Sequence, residues 1–230
     1  MKKNLIKLAL TCLVSVCSFN AVKAQTVTVD PSIDIVSSYI WRGTYCAGTS
    51  VQPGMGLAIG DFSLSGWGSV DLSNSYQEMD FSASYSIGNF SIGLNDYWWT
   101  GMSETYLNAH LLEASVGVTI SENFPLSLSW STMISGPDKN ADGDQMYSTF
   151  IEASYPFTVA GVEVTPSVSV SPWESMYHRS GTTGLGLTTV SVNAAKEIKI
   201  TEKFSLPIFT QIILAPNQKN CYFVAGISLL

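Results

Sequence analysis

The sequence predicts an all-β protein, a closed antiparallel barrel of about 12 strands placed in an outer membrane. Three observations predict it. Charged residues make up only 13% of the 230-residue chain while hydrophobic ones reach 46%, and a soluble domain carries about twice that share of charge. Apolar and polar residues alternate with a period of two along almost the whole length. The connections between the alternating runs are short at one end and long at the other, the asymmetry of an outer-membrane barrel with short periplasmic turns and longer extracellular loops.

The chain opens with an export signal. Lys2 and Lys3 precede an apolar run from Leu5 to Phe19, and Val22-Lys23-Ala24 offers small residues at one and three positions before a cut. Residues 1–24 are therefore expected to be removed and 25–230 to form one barrel. A lipoprotein cut before Cys17 is the rival, against which the bulky Val16 speaks. Four of the 11 basic residues leave with the signal, so seven face 18 acids. Such an acidic chain with no basic patch excludes nucleic acid as a partner. No later stretch reaches the roughly 18 apolar residues of a membrane helix.

The strands follow in order. At 124–134, Phe124, Leu126, Leu128, Trp130, Thr132 and Ile134 alternate with Ser127, Ser129, Ser131 and Met133; at 162–171, Val162, Val164, Val168 and Val170 oppose Glu163, Thr165, Ser167, Ser169 and Ser171. Similar runs cover 32–42, 50–59, 62–72, 77–87, 90–99, 105–120, 146–158, 185–199, 204–215 and 221–230, most close to the ~9–11 residues that cross a bilayer when tilted. Gly60-Asp61, Gly88-Asn89 and Ala160-Gly161 are tight hairpin turns. The longer connections are 43–49, 135–145 and 173–184. Phe62, Phe90, Phe124, Phe157 and Phe204 gather at the short-turn end, and Tyr39, Trp41, Trp98, Trp99, Trp130, Tyr147 and Trp173 at the other. Two aromatic levels suit the two interfaces of a bilayer; the rival is a secreted β-sandwich with aromatics in its core. Asp96 on an apolar face, strand 204–215 apolar on both faces, and Pro166 and Pro207 inside strands do not fit a simple barrel.

If the apolar face meets lipid, parity turns Asp34, Asp71, Glu78, Asp80, Glu113, Glu152 and Glu163 inward, with Arg42 the one basic residue in these strands. A charge facing lipid costs about 2–4 kcal/mol at the midplane. The inward acids would give the lumen a negative potential that concentrates cations, and Arg42 would pair with one of them near the outer mouth. The expected function is a passive, cation-preferring pore for small cationic or neutral solutes, with no enzyme activity and no cofactor. The alternatives are a hydrogen-bonded plug in a non-conducting structural or surface-binding barrel, and a lipid hydrolase. For the last, neither His110 nor His178 stands beside a held nucleophile, and His110 and Glu113 have opposite parity.

Ser38-Tyr39-Ile40-Trp41-Arg42-Gly43 and Gly66-Trp67-Gly68-Ser69, with the hairpins that follow, resemble the TorF-like porin family of Gram-negative bacteria, best over about 33–100. The resemblance implies an outer-membrane barrel and hands over no catalytic residues. The terminal Leu230 departs from the Phe that commonly ends such barrels.

Two cysteines remain after the signal. Cys46 follows the first strand and Cys221 opens the last, so a barrel that closes first strand on last predicts a disulfide between them. Asp138-Lys139-Asn140-Ala141-Asp142-Gly143-Asp144 resembles the first half of a calcium loop, with Asp138, Asn140 and Asp142 as candidate ligands, but Thr149 stands where the bidentate Glu is required. A solvated turn is the preferred reading and calcium the alternative.

Overall fold

The computed structural model describes residues 26–102, 109–179 and 181–230. The expected signal segment lies outside them, as do the first residues of the strand expected at 105–120. All regular structure among the described residues is β, and no helix is long and apolar enough to cross a membrane. The strands are β1 (Val27–Val36), β2 (Tyr39–Trp41), β3 (Thr44–Ala47), β4 (Ser50–Ile59), β5 (Phe62–Asp71), β6 (Gln77–Ile87), β7 (Phe90–Trp99) and β8 (Leu111–Ser121). They continue with β9 (Phe124–Ser135), β10 (Thr149–Ser154), β11 (Phe157–Val159), β12 (Val162–Ser171), β13 (Gly186–Lys199), β14 (Ser205–Ala215) and β15 (Asn220–Ser228).

Twelve of them close a ring in the order β1-β4-β5-β6-β7-β8-β9-β10-β12-β13-β14-β15, every neighbour antiparallel, with β15 returning to β1 through Asp34↔Ser228, Ile35↔Ile227 and Val36↔Gly226. β11 continues β10 beyond a break at Tyr155-Pro156 and pairs with β12 alone. The tight turns form as their residues require. Gly60 and Gly88 take φ of 59° and 58°, and Ala160-Gly161 take 51° and 73°, the positive angles that match the twist of paired strands.

Alternation sorts the two faces of the wall. Leu64, Phe81, Leu94, Val116, Leu128, Val168, Val192, Ile212 and Phe223 are exposed on the outer face, while Ser69, Glu78, Glu113, Ser131, Ser169, Thr189 and Ser191 are buried on the inner one. The five phenylalanines at the short-turn end are all exposed. At the long-loop end only part of the expected aromatic level faces out. Trp130 and Trp173 pack against each other outside, their rings tilted and their centres 6.2 Å apart. Tyr39, Trp41 and Trp99 turn inward instead, where Tyr39 meets Trp67 and Trp41 meets Trp99.

The largest departure is at the first strand. The run expected at 32–42 ends at Val36, and β2 and β3 form a separate two-stranded hairpin. Arg42 and Gly43 make its turn with φ of 49° and 80°. Only residues that tolerate the left-handed region fit such a turn cheaply, and glycine takes the more extreme angle. The segment expected as an outer loop at 43–49 is thus half of an inward hairpin. Strand β14, apolar on both faces, is explained by it. Ile213 with Val36 and Val224 forms a buried cluster on which Ile40 of the hairpin packs.

The strand prolines also find their reason. Pro207 lies just below Ile208, where pairing of β14 with β15 begins, and Pro31 lies in the part of β1 that β15 does not reach. Pro166 faces the break between β10 and β11, whereas Pro53 and Pro125 sit in gaps of the β4–β5 and β8–β9 ladders. Each missing N–H falls where a ladder is interrupted.

Beside the seam, the Phe209 ring covers Gly226, its cross-strand partner, and occupies the space that a Cβ there would need. Gly226→Val should therefore lower stability by roughly 1–3 kcal/mol, read as the urea midpoint of the refolded barrel in detergent. Phe209→Ala in the same chain should recover part of the loss.

Candidate functional site

The interior of the long-loop end is the candidate site, because there the chain folds back into its own lumen. The hairpin reaches walls on several sides of the ring. Tyr39 packs on Trp67 of β5 and on Tyr76, and Gly43 lies against Thr188 and Thr189 of β13 and Ala215 of β14. Arg42 reaches β8, almost opposite β1, so the hairpin crosses the lumen.

Arg42 and Glu113 hold it there. The Arg42 side chain is 14% exposed and that of Glu113 not at all. Nη1 of Arg42 donates to Oε2 of Glu113 at 2.5 Å and Nη2 to Oε1 at 3.0 Å, the bidentate arrangement. Tyr97 Oη and Asn95 Nδ2 donate to the same Oε1 at 2.9 and 3.1 Å, which leaves the carboxylate well satisfied. The guanidinium carbon lies 5.0, 4.7 and 5.3 Å from the ring centres of Trp41, Phe150 and Tyr177, within cation–π range. Around this pair Leu111, Met133, Phe150 and Tyr177 form a buried cluster inside the barrel.

Tyr177 comes from the loop after β12, which is tied down independently. Gln218 Nε2 donates to the Tyr177 carbonyl at 3.2 Å and to Thr44 Oγ1 at 2.9 Å, joining two loops and the hairpin. Burial holds the Tyr177 phenol protonated well above its usual range, and burial lowers the neighbouring His178 below the usual imidazole value.

The other inward acids have separate surroundings. Glu78 is buried and accepts from Tyr76 Oη at 2.5 Å, and Asp80 lies two residues on along the same inner face, with Oδ1 buried and without a hydrogen-bond partner. Asp71 is used by its own turn, accepting from the backbone N–H groups of Ser75 and Tyr76 at 2.7 and 2.8 Å. Asp34 accepts from Ser228 Oγ at 2.7 Å across the seam, and Glu152 from Ser167 Oγ at 3.3 Å. Glu163 is exposed beside the short turn at 160–161. Asp96 keeps its outward parity and meets His110 Nδ1 at 2.7 Å, so His110 and Glu113 do stand on opposite faces of the wall.

The expected disulfide is not formed. Cys46 and Cys221 are both free. β1 and β15 are neighbours as the disulfide required, but Cys46 rides on the hairpin inside the lumen while Cys221 shares the outer face with Phe223. A Cys46 that merely followed the first strand would stand at the rim beside Cys221; on the hairpin it lies inside, and the wall separates the two thiols. In the acidic loop, two of the three calcium candidates, Asp138 and Asn140, spend their side-chain oxygens on the loop itself. Asp138 is buried and accepts from Ser148 N–H, Ser148 Oγ and Gln145, while Asn140 Oδ1 accepts from the N–H groups of Asp142 and Asp144. This is a fastened loop. Among the described residues no three His, Cys, Asp or Glu side chains are grouped to hold a metal ion.

Phe150, Tyr177, Tyr97 and Asn95 were not singled out from the sequence. One signal pointed to them: Met133 interrupts the serine face of its strand, as a residue does that packs against something inside. The architecture is thus defined as a closed 12-stranded antiparallel β-barrel with a hairpin folded into it. No protein-family model matches the chain, and no curated protein matches it.

Removing one member of a buried, hydrogen-bonded ion pair leaves the other uncompensated, at a cost of about 3–5 kcal/mol. Arg42→Ala should show a loss of that order in urea unfolding, and Arg42→Ala with Glu113→Gln together a smaller loss than the sum of the two. Mass spectrometry of the unreduced, alkylated protein should count two modified cysteines.

Proposed function

We propose that this chain is an exported outer-membrane barrel whose lumen is narrowed by its own first loop to a restricted, cation-preferring passage for small solutes. The aliphatic outer face supports membrane placement, because exposed Leu, Val, Ile and Phe at this density are costly in water and favourable in hydrocarbon. The resemblance of 38–43 and 66–69 to TorF-like porins and the signal-like segment at 1–24 point the same way. Eight strands leave room only for side chains and sixteen leave an aqueous channel. At twelve, the surplus cross-section is taken up by the hairpin.

The observation that carries the reading is the Arg42–Glu113 pair inside an acid-lined interior. It neutralises one acid and leaves Glu78, Asp80 and Glu152 on the inner face without ion pairs among the described residues, so the net field in the lumen favours cations. A second reading, a closed barrel that acts through its loop end, is favoured by the fully buried cluster of Leu111, Met133 and Tyr177 beside the hairpin.

Planar-bilayer recording separates them. The pore reading expects small conductance steps with a reversal potential on the cation side of a salt gradient, and steps several-fold larger when 39–47 is deleted. Silence of the intact chain with a conducting deletion selects the closed barrel. Anion preference in both proteins rejects the field argument.

A further inference from the structure

The hairpin leaves a cavity of about 180 Å³ at the loop end of the lumen, whose walls include Trp41, Tyr76, Trp99, Met176 and Tyr177, with Glu78 among the residues that line it. Tyr45, also on its wall, is 55% exposed, so the space communicates with the surface. Trp41 lies with its ring centre 6.2 Å from that of Trp99 and 5.6 Å from that of Tyr177, so the three rings form a connected group.

The carboxyl groups on this side of the lumen have no cationic partner. Among the described residues the only ion pairs are Arg42 with Glu113 and His110 with Asp96, so neither Glu78 nor Asp80 is paired with a cation. Arg42 is close by, but its charge is already taken up by Glu113. A half-enclosed space with aromatic walls and an uncompensated carboxylate attracts a cation electrostatically and through the negative faces of its rings. The barrel already uses this chemistry internally, where the Arg42 guanidinium lies among Trp41, Phe150 and Tyr177.

The size and composition narrow the class. A cavity of about 150 Å³ accepts benzene, so this one takes a molecule of similar or slightly larger bulk. A bare metal ion is disfavoured, since no three ligating side chains are grouped among the described residues. A neutral apolar guest would leave Glu78, whose hydrogen bond from Tyr76 Oη brings no charge, still without a counter-ion.

We propose that this cavity binds a small organic cation, an amine or quaternary ammonium no larger than choline, with Glu78 as its counter-charge and Trp41, Trp99 and Tyr177 as its ring contacts. Binding of this kind does not depend on whether the barrel conducts, and it can be measured in detergent without a membrane.

The test compares choline with 3,3-dimethylbutan-1-ol, its uncharged isostere, on the refolded mature chain by calorimetry and tryptophan fluorescence. Choline should bind saturably and at least about tenfold more tightly than the alcohol. Glu78→Gln should weaken choline about tenfold and leave the alcohol unchanged, whereas Trp99→Leu should weaken both. Choline should also slow maleimide labelling of Cys46, which lines the cavity, and leave that of Cys221 on the outer face unchanged. Equal affinity for choline and the alcohol overturns the proposal, as does choline affinity that survives Glu78→Gln. If Glu78→Gln does not refold, shown by loss of the heat-dependent gel shift, the comparison of the two ligands on the unaltered chain decides alone. A chain that binds choline yet stays silent in planar bilayers keeps this site and loses the pore.

Discussion

The interior of this barrel depends on one ion pair. Arg42 is nearly buried, and a guanidinium cannot shed its proton to escape the cost of desolvation. It must find an anion and further acceptors or ring faces, and the geometry supplies Glu113, Tyr177 and three aromatic rings. Because Glu113 stands on β8, across the ring from β1, satisfying that single charge draws the chain through the lumen. The inward turn of Trp41 and the burial of Met133 and Tyr177 accompany that crossing. Such a pair adds little net stability over an apolar substitute, but it specifies where the hairpin must lie.

Much of the wall was legible in the sequence because a strand with one polar and one apolar face announces itself by period two. The bounds of 50–59, 77–87, 90–99 and 162–171 agree with those of β4, β6, β7 and β12. The turns at Gly60, Gly88 and Ala160-Gly161 were legible because so few residues accept positive φ. The hairpin was not. Tyr39, Ile40 and Trp41 continue an apolar stretch in sequence, and a run that leaves the wall to line the lumen has the same composition as one that remains in it. Only long-range facts separate the two, namely an apolar inner face on β14 and a methionine on the serine face of β9. The first stands out as a misfit and the second is a quiet one, and neither names its partner.

The same limit explains the cysteines. Topology correctly made β1 and β15 neighbours, yet proximity of strands does not fix which side of a wall a residue occupies. Moving Cys46 from the rim to the hairpin changed its side. The acidic loop shows a related ambiguity. Oxygen atoms at calcium-loop spacing serve equally well as acceptors for backbone donors, and Asp138 and Asn140 are used in that way.

The seam between β15 and β1 has a consequence for the order of folding. Asp34 and Ser228, which meet there, are 194 residues apart in the chain. Most other wall contacts join consecutive strands and close short loops, so they cost little chain entropy. A curved, incomplete sheet can therefore accumulate hairpin by hairpin while the seam stays open. The interior is reached through that gap until the last strand arrives. Its arrival does two jobs in one step: it removes the remaining free edges over the three paired positions, and it seals in the hairpin that it packs beside.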